Sequence, residues 1–140
     1  MAATKILLDS GPLVGFVSET DQHHRWAREI WSSLYEPLWT CEAVLSETLF
    51  LLQSDGNSID PLLELFERGL VKLDFEMSAH QSDVWQLLRK YADQPMSLAD
   101  ACLVRMAELN NHSQIFTTDR DFLVYRRKGR SVIPLLTPFA

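Results

Sequence analysis

The sequence predicts an α/β protein: a three-layer α/β/α domain built on a central, mainly parallel sheet of four to five short strands. Two observations carry that prediction. Short runs of strand length alternate with stretches of helical periodicity, a pattern that favours a parallel sheet between helical layers. The 140 residues hold no repeat, low-complexity tract or dividing linker, so residues 1–140 form a single domain with its own hydrophobic core.

Residues 4–8 read as a short buried strand, ended by Asp9-Ser10-Gly11-Pro12. Pro12 suits a first helical turn, and a short helix to about Val17 follows. Asp21 is placed to cap the next helix, His23 to Tyr35, with Trp26, Ile30 and Leu34 on one face. Pro37 to Cys41 reads as a second strand and Glu42 to Gln53 as a helix, stopped by Asp55-Gly56-Asn57-Ser58. Asp60-Pro61 opens a helix to about Arg68, with Gly69 as its stop. Val71 to Phe75 alternates as a strand does, and Ser78 to Tyr91 is helical. Beyond the break at Asp93-Gln94-Pro95, a helix runs from Ser97 to about Asn110. Gln114 to Thr117 is a strand, Asp119 to Arg126 a short helix, and Ser131 to Leu135 a last strand.

Four acids stand where surface acids are not expected. Asp9 and Asp119 each close an apolar strand-like run, Ile6-Leu7-Leu8 and Ile115-Phe116-Thr117-Thr118. Glu47 and Asp100 interrupt helical stretches that are otherwise almost wholly apolar. A carboxylate taken out of water is protonated, paired with a cation or bound to a metal. Only Asp119, beside Arg120, has an obvious basic neighbour. A divalent ion accounts for all four at once, and carboxylate-held ions commonly act on phosphate esters. In open parallel sheets, sites form beyond the carboxyl ends of strands, where Asp9 and Asp119 are expected.

Each acid also has a local explanation. Glu47 could sit at the edge of the polar stripe of Glu42, Ser46 and Gln53 and reach solvent. Ser97-Leu98-Ala99-Asp100 matches a capping box. Asp9 could be a turn residue, and Asp119 the cap of the helix after it. The argument for chemistry rests on four coincidences in one small domain.

Composition narrows the classes. The apolar fraction of 46% and charged fraction of 23% are those of a soluble globular protein. No apolar run approaches the roughly 20 residues of a membrane span, and no secretion signal is evident, so a cytoplasmic protein is expected. Cys41 and Cys102 share no paired spacing and read as reduced thiols rather than zinc ligands. The net charge of −6 argues at first against a nucleic-acid partner. Arg120, Arg126, Arg127, Lys128 and Arg130 nonetheless cluster near the C-terminus and are candidates for contact with RNA phosphates, or a solvated basic stretch. His23 and His24 are adjacent, so they point apart and read as a helix entrance. Trp26, Trp31, Trp39 and Trp85 read as core or dimer-interface residues.

Asp9-Ser10 after a strand, Leu45-Ser46-Glu47-Thr48, Ser97-Leu98-Ala99-Asp100-Ala101 and Thr117-Thr118-Asp119-Arg120-Asp121-Phe122, in that order, resemble the PIN domain. The likeness is strongest to the VapC-type toxin ribonucleases of toxin–antitoxin modules and spans Ile6 to about Ile133. The resemblance implies a Mg²⁺- or Mn²⁺-dependent endoribonuclease, homodimeric, inhibited by a cognate antitoxin, that leaves a 3′-hydroxyl and a 5′-phosphate. Its acidic quartet falls on Asp9, Glu47, Asp100 and Asp119, with Asp9, Asp100 and Asp119 as metal ligands. Asp121 and Asp93 match further acidic positions of some members. Thr117 corresponds to the supporting hydroxyl, and Ser10 is expected to help orient carboxylates.

Three other readings are kept. One is a PIN-type nuclease of RNA processing or decay without an antitoxin; another is a PIN-like binding module that has lost catalysis. The third, an aspartyl-phosphate phosphotransferase, lacks support, because Ser10-Gly11 follows Asp9 where Asp-x-Asp is usual and no Lys ends a later strand.

Overall fold

The computed structural model describes residues 3–139. Five strands form one wholly parallel sheet: β1 (Lys5–Leu8), β2 (Leu38–Thr40), β3 (Val71–Leu73), β4 (Ser113–Phe116) and β7 (Leu135–Leu136), in the order β3-β2-β1-β4-β7. Six α-helices connect them: α1 (Ser10–Val17), α2 (His24–Ser32), α3 (Glu42–Ser54), α4 (Asp60–Glu67), α5 (Gln81–Lys90) and α6 (Leu98–Leu109). A two-residue ribbon, β5 (Arg126–Arg127) with β6 (Ser131–Val132), stands apart from the sheet.

Alternation along the strands sorts the core into two layers. Leu7 of β1 and Ile115 of β4 pack with α5 and α6 on one face. Ile6, Leu8 and Phe116 pack on the other with Leu13, Val14, Trp31, Leu52 and Leu62, from α1 to α4. Burying a Leu of this kind contributes about 1.5–3 kcal/mol, so a one-residue slip of either central strand is strongly disfavoured. The register is therefore definite, with Leu8 beside Phe116. Helix α6 is buried around most of its circumference, including Ala99 to Val104 and Met106-Ala107.

Some elements differ from the prediction. The helix expected over 78–91 is a 3₁₀ turn, Met77–Ala79, then α5; His80, off helical geometry, separates them. The third strand ends at Leu73 rather than Phe75. Asp21 accepts the His23 amide at 2.9 Å, one residue ahead of the start of α2. The helix expected over 119–126 is only a 3₁₀ turn, Arg120–Leu123. The strand expected over 131–135 is divided by Pro134, which has no amide to donate: Ser131–Val132 turns back on Arg126–Arg127, and Leu135–Leu136 joins the sheet edge. Lys128 and Gly129, both at positive φ, make the hairpin turn.

Candidate active site

The strand order places a topological switch point between β1 and β4. Chain connections leave β1 toward β2 and β3 on one side, and β4 is added on the other. The crevice beyond the carboxyl ends at such a point is where open parallel sheets bind ligands. Asp9 follows β1 directly, and Thr117 follows β4, with Asp119 two residues on.

The strand register makes Asp9 and Thr117 neighbours. The Asp9 amide donates to the Phe116 carbonyl at 3.0 Å, and the Thr117 hydroxyl donates to Asp9 Oδ2 at 2.7 Å. Asp9 Oδ1 accepts the Ser10 amide at 2.8 Å as α1 begins. The Thr117 hydroxyl also accepts the Asp119 amide at 2.9 Å, so one side chain ties the two strand ends together. Asp9 is only 4% exposed. Burial pushes its carboxyl up to about 7, reinforced by the charges of Asp100 and Glu47 and opposed by the Thr117 and Ser10 hydrogen bonds.

Asp100 enters from the first turn of α6. The capping box is present in full: Ser97 Oγ accepts the Asp100 amide at 3.0 Å, and Asp100 Oδ2 accepts the Ser97 amide at 3.3 Å. The same Oδ2 accepts the hydroxyl of Tyr125 at 3.0 Å. Burial raises Asp100 to about 6, with Asp119 adding repulsion. Asp100 is thus both a cap and a buried carboxylate within electrostatic reach of Asp9 and Asp119, so the local role coexists with proximity to the other acids. Asp119 likewise caps the turn after it, accepting the Asp121 amide at 2.8 Å. Desolvation and the nearby Asp119 charge raise the Asp121 carboxyl.

Glu47 reaches the group from α3, where its Oε1 accepts the Ser10 hydroxyl at 2.5 Å. Its surroundings are less apolar than the sequence predicts. Val44, Thr48 and Leu52 form the buried stripe of α3, and Phe50 and Leu51 face outward. Glu47 therefore lies half-buried at the rim of an open groove rather than inside the core.

Four segments thus bring Asp9, Glu47, Asp100 and Asp119 to one end of the sheet. Among the described residues, no Lys, Arg or His forms an ion pair with any of them. As the side chains stand, no three His, Cys, Asp or Glu residues among those described are grouped closely enough to hold a metal ion. The carboxylate oxygens are instead turned toward hydroxyls and amides.

Other predicted residues are placed differently. Asp93 is exposed in the α5–α6 connection, and among the described residues no hydrogen bond joins it to the four acids. The basic residues do not form one patch. Arg120 is exposed at the acidic end, its guanidinium 4.6 Å from the Phe139 ring centroid. Arg126 Nη1 donates to the carbonyls of Leu123, Val124 and Tyr125. Arg127 is half-buried, with Nη1 unpartnered among the described residues. Lys128 donates its amide to Glu108 and its ammonium to Asn111, so the hairpin tip lies against the far end of α6. Glu108 is eight residues from Asp100, about 12 Å along the helix axis. Arg130, at that tip, is exposed.

Cys41 and Cys102 are free and buried in the same core layer. Their mutual contact lowers the Cys41 thiol and raises that of Cys102. His24 Nδ1 lies 2.7 Å from the Gly15 carbonyl, as a structural helix-entrance residue would. Of the tryptophans, Trp31 is buried and Trp26 packs edge-on to Phe116, whereas Trp85 is exposed.

Tyr125 was not legible in the sequence. It is fully buried, and its ring packs edge-on to Tyr91 and Phe122. Its position 25 residues after Asp100 matches no local motif, and the apolar run Phe122-Leu123-Val124 before it offers no hint of a polar partner.

Comparison with known proteins agrees with this fold. The solved structure of Mycobacterium tuberculosis VapC20, described as a sarcin–ricin loop cleaving toxin, superposes with a TM-score of 0.74 at 18% identity. The match covers 84% of this chain and 92% of that one, and at such identity it shows the fold. No curated protein sequence matches the chain. The PIN domain family model matches residues 6–128, which takes in all four acids, and the chain belongs to the PIN domain family.

Proposed function

We propose that this protein is a Mg²⁺- or Mn²⁺-dependent endoribonuclease that hydrolyses RNA phosphodiester bonds, and that it is the toxin of a toxin–antitoxin module. The observation that carries the reading is the meeting of four carboxylates at the switch point with no cationic partner among the described residues. Crowded carboxylates, two of them raised by burial and mutual repulsion, are what a divalent cation relieves. Hard oxygen donors suit Mg²⁺ and Mn²⁺. Mg²⁺ keeps several waters and commonly takes only one or two carboxylates directly, so a donor set that does not close into a cage fits it.

Asp9, Asp100 and Asp119 would hold the ion, and Glu47 would complete the acidic group. When bound, such an ion supplies Lewis acidity toward the phosphate and lowers the pKa of water. The chain's own residues do the rest. Thr117 and the Ser10 amide fix the two oxygens of Asp9, while Tyr125 and Ser97 fix Asp100. Glu47, steadied by the Ser10 hydroxyl, orients the attacking water and accepts its proton. Asp121 supports Asp119 through the turn they share. Family membership favours products with a 3′-hydroxyl and a 5′-phosphate. Arg120 is the nearest cation for the RNA backbone, with Arg126, Arg127, Lys128 and Arg130 serving phosphates farther along. The toxin role is suggested by the likeness to VapC20, a toxin; the same reading includes a cognate antitoxin, a cytoplasmic location and a homodimer.

The test is RNA cleavage by Asp9→Asn and Asp100→Asn, which keep shape and remove charge. Both should lose at least 100-fold in rate at limiting Mg²⁺; wild-type rates in either would refute the ligand assignment. Growth arrest on expression, relieved by a small protein encoded alongside, separates a toxin from a processing nuclease. One observation favours a second reading, a binding module without catalysis: Asp9 and Asp100 accept internal hydrogen bonds from Thr117 and Tyr125. Calorimetry that detects no Mn²⁺ binding would support it.

A further inference from the structure

Beside the acids, a groove of about 490 Å³ runs between α3 and the start of α6. Ala43, Ser46, Glu47 and Phe50 line one wall, at the i, i+3, i+4, i+7 spacing of a single helix face. Ser97, Leu98 and Ala99 line the other. Phe50 is 68% exposed and Leu98 40% exposed, one helical turn from Glu47 and two residues from Asp100 respectively.

We propose that this groove holds a nucleobase of the RNA next to the scissile phosphate, stacked on the Phe50 ring. The inference rests on the nuclease reading and extends it to a substrate subsite. Glu47 belongs both to the acidic group and to the groove wall, so a phosphate at the acids carries its neighbouring nucleoside to the groove mouth. The Cβ atoms of Glu47 and Phe50 are about 5–6 Å apart on one face, a separation that a single nucleotide bridges. The groove holds a carboxylate and no cation, so it suits the uncharged face of a nucleotide rather than its phosphate. The exposed Ser46 hydroxyl is available to base edges, and Ser97, whose Oγ accepts the Asp100 amide, has its hydroxyl proton left to donate. An exposed aromatic ring beside a processing site is how single-stranded RNA is commonly gripped, because every base has a π-face.

The experiment uses the full chain and a single-stranded oligoribonucleotide that it cuts, alongside the same oligonucleotide made abasic at the residue flanking the cut. Phe50→Ala should raise KM or lower kcat/KM at least roughly fivefold, the low end of base–aromatic stacking, and Phe50→Tyr should restore it. The abasic substrate should penalise wild type and leave Phe50→Ala little changed. Unaltered kcat/KM in Phe50→Ala, with Asp100→Asn inactive, overturns the subsite and leaves the nuclease reading standing. If wild type cuts no RNA, the nuclease reading fails, and oligonucleotide binding by anisotropy decides the stacking: a fivefold weaker Kd in Phe50→Ala sustains it, and equal Kd values overturn it. Unchanged RNA binding with a loss of self-association in sedimentation, or of binding to a partner protein, assigns the face to protein docking and likewise overturns it.

Discussion

Asp9 and Asp100 are acids whose protons the fold retains. Their carboxyls, at about 7 and about 6, lie above the ordinary value of 3.8, so the folded chain binds protons that the unfolded chain has released. The stability associated with them is fully present below about pH 4 and is lost as pH rises toward 7. Asp9→Asn removes the larger part of that dependence. Without added metal, its Tm should exceed that of wild type at pH 8, with the difference closing by pH 4; an Asn variant less stable at pH 8 would contradict it. Tyr125→Phe keeps the buried ring and removes the hydroxyl that steadies Asp100. A hydrogen bond to a charged group contributes about 1.5–3 kcal/mol, so Mn²⁺ affinity measured by calorimetry should fall at least several-fold while far-UV CD stays unchanged. Neither the pairing nor its strength is legible in the sequence, because the two residues meet only through the path of the chain after the 3₁₀ turn.

At the scale of elements, close packing of helix ends carries the acids. A Cβ on Gly11 would lie 2.0 Å from Thr118 Oγ1 and 3.2 Å from Thr118 Cβ, so the first turn of α1 and the loop after β4 touch because Gly11 has no side chain. A Thr118 rotamer that turns its Cβ hydrogen toward this position relieves the hydroxyl clash but leaves Thr118 Cβ at 3.2 Å, tighter than ordinary contact. Gly11→Ala should therefore cost about 1–3 kcal/mol in urea unfolding and separate Ser10 from Thr117, lowering cleavage as well. Ser97→Ala breaks the capping box and should cost about 0.5–2 kcal/mol, with some loss of activity because the same box orients Asp100. The capping box and the strand-terminal acids are legible in sequence, since each depends on spacing within a few residues. The β5–β6 hairpin is not: its strands are two residues long, below the length at which alternation carries a signal.

For the molecule as a whole, the acids lie at the start of α6 and the exposed Lys128 and Arg130 at the hairpin tip against its far end, so this chain of net charge −6 keeps its acids apart from those two cations. Divalent cations should compete with protons at the acidic end. Added Mg²⁺ or Mn²⁺ should raise Tm more at pH 8 than at pH 5, and calorimetry should detect protons released on binding near pH 6.5. A pH-independent stabilisation would place the ion elsewhere. Because the Lys128 ammonium is engaged with Asn111 and lies far from the acids, Lys128→Ala should change the cleavage rate less than Arg120→Ala does.

The layered architecture was legible in the amino-acid pattern, because periods of two and 3.6 reveal which faces must leave water. The same pattern marked the four acids, because a carboxylate in an apolar run violates it. Long-range packing settled the remaining features. Pairing β1 with β4 in one register put Thr117 on Asp9, the route from α6 through the 3₁₀ turn put Tyr125 on Asp100, and burial of the Val44, Thr48 and Leu52 face of α3 left Phe50 outward beside Glu47. Asp93 was carried away from the group by the same long-range geometry. Contacts between residues 25 to 108 positions apart depend on how whole elements pack, and no local spacing encodes that.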